Sequence, residues 1–193
     1  HNPHAYKVIG MATRFAAEKG IEVLLEALPL IQARFPRIKV LFAGQYEGVW
    51  GEEAYYQRLM LQIQHYHEQG CWEFLGVLSM QEMAAFYPNL DVLVVPSLNS
   101  TETFGFVQIE AMMNGIPAVA SNLPGVRQPV AMTGMGKVVP INDAPALAQA
   151  VLDIFDHPEN YRGDPEKVIE MFRPDTSAAA FEQLFETLLA QLD

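Results

Sequence analysis

The chain has 193 residues, 50% of them apolar, which suits one domain with a sizeable core. Its 23 Asp and Glu outweigh 12 Lys and Arg, and the net charge of −11 argues against a general nucleic-acid binder or an anionic-membrane binder, both of which need a basic face. The single cysteine, Cys71, rules out an internal disulfide framework and a multi-cysteine zinc site, and makes the cytoplasm the default compartment.

The opening residues, His1-Asn2-Pro3-His4, lack the basic and apolar regions of a signal peptide. The chain starts without Met, a few residues before its first strand, and reads as a piece of a longer protein. Residues 6–13 read as a strand. Residues 22–35 have helical spacing, with Leu24, Leu25, Leu28, Ile31 and Phe35 on one side, and Pro29 predicts a kink or an early break. A second strand covers 38–44. An amphipathic helix covers 52–69 and stops at Gly70. Residues 71–76 form a short third strand. Ser79, with Glu82 three positions on, opens a short helix as a capping box.

The longest apolar run, around 90–96, reads as a buried fourth strand and falls short of the roughly 18 residues of a membrane span. Residues 106–113 read as a helix ended by Asn114-Gly115, and 117–121 and 136–140 as two further strands. The rest is helical: Asp143 can cap 146–155, a stretch over 158–172 is interrupted at Gly163-Asp164-Pro165, and Asp175 can cap a final helix over 177–192. Six apolar strands separated by helices predict a doubly wound, Rossmann-like parallel α/β sheet with helices on both faces and a helical C-terminal segment. Such sheets bind ligands at the carboxyl ends of their strands, which points to the residues after Thr13, Gly44, Gly76 and Pro96.

Two segments there carry chemistry. Residues 13–20 (TRFAAEKG) leave the first strand with two cations, Arg14 and Lys19, above the sheet edge. Arg can grip a phosphate through two parallel bonds, Lys acts as a point charge, and Gly20 permits a tight turn. The plainer alternative is a solvated loop with surface charges. Residues 97–115 (SLNSTETFGFVQIEAMMNG) follow the most apolar strand and enter a helix that Thr101 or Thr103 can cap. Its N-terminus is a ready anion site, and Gly105 allows close backbone approach. Glu102 lies in the loop and Glu110 in the helix. A carboxylate at Glu110 suits a sugar or ribose diol; its alternative is the solvent side of the helix, and Glu102 can simply favour the helix dipole.

Taken in order, Val8-Ile9-Gly10, Arg14-Phe15, Glu18-Lys19-Gly20, Phe74-Leu75-Gly76-Val77-Leu78-Ser79, Pro96-Ser97, Glu102-Thr103-Phe104-Gly105-Phe106, Glu110-Ala111-Met112 and Gly115-Ile116-Pro117 resemble the donor-binding, C-terminal domain of the group 1 (family 4) retaining glycosyltransferases of GT-B type. The 123–130 loop and Thr133-Gly134 with Gly136 resemble that family too, and the likeness spans about residues 7 to 192. It implies a single nucleotide-sugar-binding domain over 1–193, partnered by an N-terminal acceptor domain absent from this sequence, with 175–193 as a helix that crosses toward it. The donor would be a nucleotide-diphosphate sugar such as a UDP- or GDP-sugar, with no cofactor and no metal.

The resemblance also implies roles. Arg14 and Lys19 hold the diphosphate and neutralise charge on the departing phosphate. Glu110 binds the ribose hydroxyls and Glu102 lies beside the donor sugar. Backbone groups near Phe104, Gly105 and Phe106 contact sugar or phosphates, and Gly76-Val77 meets the base. Thr13 belongs to the same donor site, although the family often has Gly there. Two further departures are the longer aromatic loop at 45–51 and Pro174-Asp175 where the family's last helix often begins near an aromatic residue. The competing readings are a non-catalytic scaffold with the same fold, another GT-B enzyme such as an epimerase or phosphorylase, and a receiver or flavodoxin-like domain. A receiver expects paired acidic residues where this chain has Thr13-Arg14.

The remaining features have plainer readings. His65 and His67 are surface residues on different helix faces, and His1 and His4 belong to the terminus. Asn99-Ser100-Thr101 matches a glycosylation sequon by its three residues alone, and Met112, Met113, Met132 and Met135 read as packing residues.

Overall fold

Short, mostly apolar runs alternate with longer amphipathic stretches, and in the computed structural model, which describes residues 6–190, each such run is a strand. The strands are β1 (Lys7–Ala12), β2 (Ile38–Ala43), β3 (Trp72–Gly76), β4 (Val92–Val95), β5 (Ala118–Ser121) and β6 (Gly136–Val139). They form one parallel sheet in the order β3-β2-β1-β4-β5-β6. The doubly wound fold inferred from the sequence is the fold observed. β1 follows β2 along its whole length, from Lys7↔Ile38 to Ala12↔Ala43, but meets β4 only at Ile9↔Val92 and Gly10↔Leu93. The winding reverses there, between β1 and β4, and a reversal of this kind opens a crevice at the carboxyl edge.

Alternation along the strands serves two cores. Val92 and Val94 face one, with Ile9, Val40 and Phe42; Leu93 and Val95 face the other, with Val8, Ala118 and Ala120. Helices α1 (Ile21–Arg34), α2 (Glu53–Glu68) and α6 (Ala144–Asp156) cover the first face. Helices α3 (Met80–Phe86), α4 (Phe106–Met113), α5 (Gln128–Thr133) and α7 (Pro165–Met171) cover the second. α1 lies along α6, where the rings of Phe35 and Phe155 meet at 5.3 Å and Arg34 pairs with Asp156 at 2.9 Å.

Several local expectations need correction. α1 continues through Pro29 with no break. A proline inside a helix costs about 3 kcal/mol, but Leu24, Leu25, Leu28 and Ile31 are all fully buried, at about 1.5–3 kcal/mol each. That packing outweighs the missing hydrogen bond, and Pro29 itself faces solvent. α5 begins within the segment 123–130 that the sequence suggests is loop; it is only six residues long, too short for a helical period, and is bounded by Pro129 in its first turn and Gly134 at its end. The last helix, α8 (Pro174–Leu189), starts three residues earlier than expected. Pro174 takes its first position and Arg173 the cap, so Asp175 sits in the first turn instead of capping. No residue of α8 is buried, and Phe181, Leu184, Phe185 and Leu188 are exposed along it. Met112 and Met135 pack in the core, whereas Met132 is exposed.

The capping box at Ser79 is present in both directions: the Glu82 amide donates to the Ser79 hydroxyl at 3.3 Å, and the Ser79 amide to the Glu82 carboxylate at 2.7 Å. Ser79→Ala is expected to cost about 1 kcal/mol, read as a melting temperature lower by about 2–4 °C. An unchanged melt would show that packing alone holds α3. Asp143 accepts from the Ala146 amide at 2.8 Å and so caps α6 as anticipated. No helix among the described residues is long and apolar enough to cross a membrane. His1 and His4 lie outside the described residues.

Candidate functional site at the carboxyl edge of the sheet

The loop after β1 is tethered before it reaches its charged residues. The Thr13 amide donates to the Ala43 carbonyl at 2.8 Å and the Phe15 amide to the Gln45 carbonyl at 2.7 Å. Phe15 is fully buried among the rings of Phe42, Tyr55, Tyr56 and Phe74, at 5.4–6.4 Å. This anchor leaves its neighbour Arg14 facing outward, with its side chain 59% exposed. The Arg14 guanidinium donates to the Glu18 carboxylate at 2.6 Å. Burial raises the Glu18 carboxyl, but its own backbone N–H and Arg14 outweigh that and hold it below the usual range.

Residues Ala17–Lys19 make one 3-10 turn, closed by Gly20 in the left-handed region at φ 68°. A Cβ at Gly20 would stand 2.1 Å from the Pro96 carbonyl oxygen, so only glycine lets this turn lie against the exit of β4. The Leu98 amide donates to the Glu18 carbonyl at 2.9 Å and stitches the same two segments together. As a result the Lys19 ammonium donates to Glu102 at 2.8 Å, although the residues are 83 positions apart. Their side chains are 14% and 22% exposed. A small cleft lies over this pair, lined by Thr13, Lys19, Pro96, Ser97, Glu102 and Val107.

The loop after β4 turns at Asn99, whose side-chain oxygen accepts from the Thr101 amide at 3.0 Å and its hydroxyl at 2.6 Å. Neither Thr101 nor Thr103 caps α4. Gly105 is the cap residue, at φ 75° and with no side-chain hydrogen bond. Gln108 was missed by the sequence reading. It is fully buried, and its amide nitrogen donates to the Val126 carbonyl at 2.9 Å and the Phe104 carbonyl at 3.3 Å, tying the start of α4 to the next loop. Its side-chain oxygen has no partner among the described residues. The one available signal was a glutamine three positions beyond the cap. Phe104 packs against Phe106 and Phe172 at 5.4 and 6.1 Å, while Phe106 is largely exposed.

Glu110 does not line that cleft. It sits on the exposed face of α4 and borders a second groove, between α3 and α4, with Leu78, Met80, Met83, Tyr87 and Asn114. The Tyr87 hydroxyl donates to Glu110. Val77, at the start of the segment leading into this groove, is largely exposed. A third hollow forms where the 45–51 loop meets Phe15 and Tyr56; there Tyr46 stacks on Phe74 at 4.2 Å. The sheet edge therefore gathers Thr13, Arg14, Lys19 and Glu102, and α4 carries Glu110 to a neighbouring groove. His65 and His67 are both exposed, as expected; Gln69 lies 2.9 Å from the His65 ring, and the His67 ring lies 2.9 Å from the Trp72 carbonyl.

Comparison with known proteins gives the family and the fold. The family described as "Glycosyl transferases group 1" matches residues 1–169. The chain is 33% identical, over 173 residues, to a phosphatidyl-myo-inositol mannosyltransferase of Mycolicibacterium smegmatis, covering 88% of this chain and 42% of that protein. It is 35% identical over 159 residues to a D-inositol 3-phosphate glycosyltransferase of Corynebacterium jeikeium, covering 78% and 36%. The chain thus spans less than half the length of these curated relatives. Among solved structures, sucrose-phosphate synthase of Thermosynechococcus elongatus superposes with a TM-score of 0.75 at 30% identity, over 96% of this chain and 46% of that one. Anabaena HepE, solved with UDP-glucose, shares the fold at a TM-score of 0.74 and 22% identity, over 96% and 49%. With the sheet, its reversal point and these matches taken together, the chain belongs to the group 1 glycosyltransferases.

Proposed function

We propose that this chain is the donor-binding part of a two-domain, retaining, cytoplasmic glycosyltransferase that moves a hexose from a nucleoside-diphosphate sugar to an acceptor hydroxyl. The observation that carries the reading is the Lys19–Glu102 pair at the β1/β4 reversal, with Arg14 beside it. Two cations there suit a diphosphate, and both are already paired with carboxylates that a ligand phosphate can replace. Arg14 and Lys19 take the diphosphate, and the charge that grows on the leaving phosphate falls on them without a metal ion. Glu102, released from Lys19, accepts hydrogen bonds from the sugar hydroxyls. Thr13 and the backbone of Phe104, Gly105 and Phe106 flank the sugar and phosphates. Glu110 holds the ribose diol, and Gly76-Val77 meets the base at the mouth of the α3/α4 groove. The acceptor side belongs to an N-terminal domain outside this sequence, toward which α8 crosses.

Calorimetric titration with UDP, GDP and ADP in EDTA tests the reading. The expected result is metal-free binding of one diphosphate, with affinity lost by tenfold or more in Arg14→Ala and in Glu110→Ala. Equal affinities in wild type and both variants would remove the assignment, and binding that disappears in EDTA would remove its metal-free part.

A further inference from the structure

We propose that Tyr87 is a positioning residue for nucleotide recognition: its hydroxyl fixes one carboxylate oxygen of Glu110 and leaves the other aimed at the ribose diol. The inference rests on the reading of Glu110 as the ribose-binding group. Glu110 stands on an exposed helix face, where a glutamate side chain with three torsions samples many rotamers. Tyr87 is the opposite case. It is 2% exposed, sits in a 3-10 turn over Tyr87–Asn89, and its ring packs 5.3 Å from Phe86 within the second core. The turn is held by the Leu90 amide donating to the Tyr87 carbonyl at 3.0 Å and by the Asn89 side chain donating to the Ala85 carbonyl at 2.7 Å.

The hydroxyl is therefore a fixed point, and it donates to Glu110 Oε2. Burial, with the neighbouring carboxylate, pushes the phenol well above its ordinary range, so it stays a donor at any working pH. A carboxylate has about four acceptor positions, and one bond to Oε2 leaves Oε1 free for a diol. The other end of the same helix turn is held as well, since the Asn114 side chain donates to the Glu110 carbonyl at 2.8 Å. Rotamer freedom that Tyr87 removes beforehand is freedom the nucleotide need not remove on binding.

Tyr87→Phe keeps the ring and deletes only the hydroxyl, and because Glu110 is exposed, water replaces the lost bond. UDP and GDP and their 2′,3′-dideoxy forms are titrated against wild type, Tyr87→Phe and Glu110→Ala. The expected result for Tyr87→Phe is about tenfold weaker binding of the ribose form and unchanged binding of the dideoxy form. Equal weakening of both forms would make Tyr87 a merely structural residue, and no weakening of either would leave it without a role; each overturns the proposal. If Glu110→Ala keeps the full preference for ribose over dideoxyribose, the reading of Glu110 fails first, and this inference with it. Wild type that binds neither diphosphate overturns both together.

Discussion

Lys19→Ala is expected to weaken nucleoside-diphosphate binding by about 30- to 1,000-fold, an effect of about 2–4 kcal/mol. Two terms add. One is the lost charge-assisted bond to phosphate. The other is the Glu102 carboxylate, largely buried and 2.8 Å from the ammonium in the native chain, which then faces the diphosphate with no cation between. Like charges about 4 Å apart cost from roughly 1 kcal/mol in water to roughly 4 kcal/mol at a protein surface; in a cleft open to solvent the lower end applies, so the two terms together stay within the expected range. The second term also makes the prediction distinctive. Adding Glu102→Gln to Lys19→Ala is expected to restore part of the affinity for UDP or GDP, while Glu102→Gln alone changes it little. Calorimetry on the two singles and the double reads this coupling directly. A double variant that is simply the product of its singles would mean that Lys19 and Glu102 do not share a ligand.

Gly20→Ala is expected to destabilise the chain by about 3 kcal/mol or more, lowering the melting temperature by roughly 6–12 °C. A left-handed backbone costs a non-glycine residue about 1–2 kcal/mol. The rest comes from the Cβ placed 2.1 Å from the Pro96 carbonyl oxygen, which is backbone and has no rotamer to escape into. Gly134→Ala is the control. Gly134 has nearly the same φ, 70°, but a Cβ there meets nothing within 4 Å. It is expected to lose only the conformational share. If the two variants melt together, the contact between the 17–20 turn and β4 contributes nothing to stability. If Gly20→Ala melts lower, nucleotide affinity should fall as well, because the same turn carries Lys19 to Glu102.

The sheet is legible because its strands are short, mostly apolar runs and its main helices are long enough to repeat their period. That holds for α1, α2 and α6 but not for the six-residue α5, where no period can develop. Pro29 misled because propensity speaks for one residue and the four fully buried side chains around it speak for the fold. Arg14, Lys19, Glu102 and Glu110 could be singled out as polar groups directly beyond apolar strands. Their pairing could not. Nothing local says that Lys19 meets Glu102 across 83 positions while Glu110 turns to another groove. Gln108 and Tyr87 escaped for the same reason. Each is a polar group buried among apolar neighbours, and its partners are 18 and 23 positions away.

The packing of α1 on α6 bears on how such a chain is made. Ring contact and ion pair join residues about 120 positions apart, Phe35 to Phe155 and Arg34 to Asp156, with a separation of 122 for the latter. During synthesis the β1-α1-β2 unit leaves the ribosome before α6 does, with part of the face formed by Leu24, Leu28 and Ile31 still awaiting its cover. At about 5–20 residues per second, roughly 6–25 seconds pass before α6 emerges. The β1 edge is covered once β4 emerges, whereas the apolar helix face stays open over the whole interval; until β4 arrives the two are open together. This is the combination most prone to pairing with another nascent copy. The exposure is greatest in the first half of the chain, and it ends only when α6 docks.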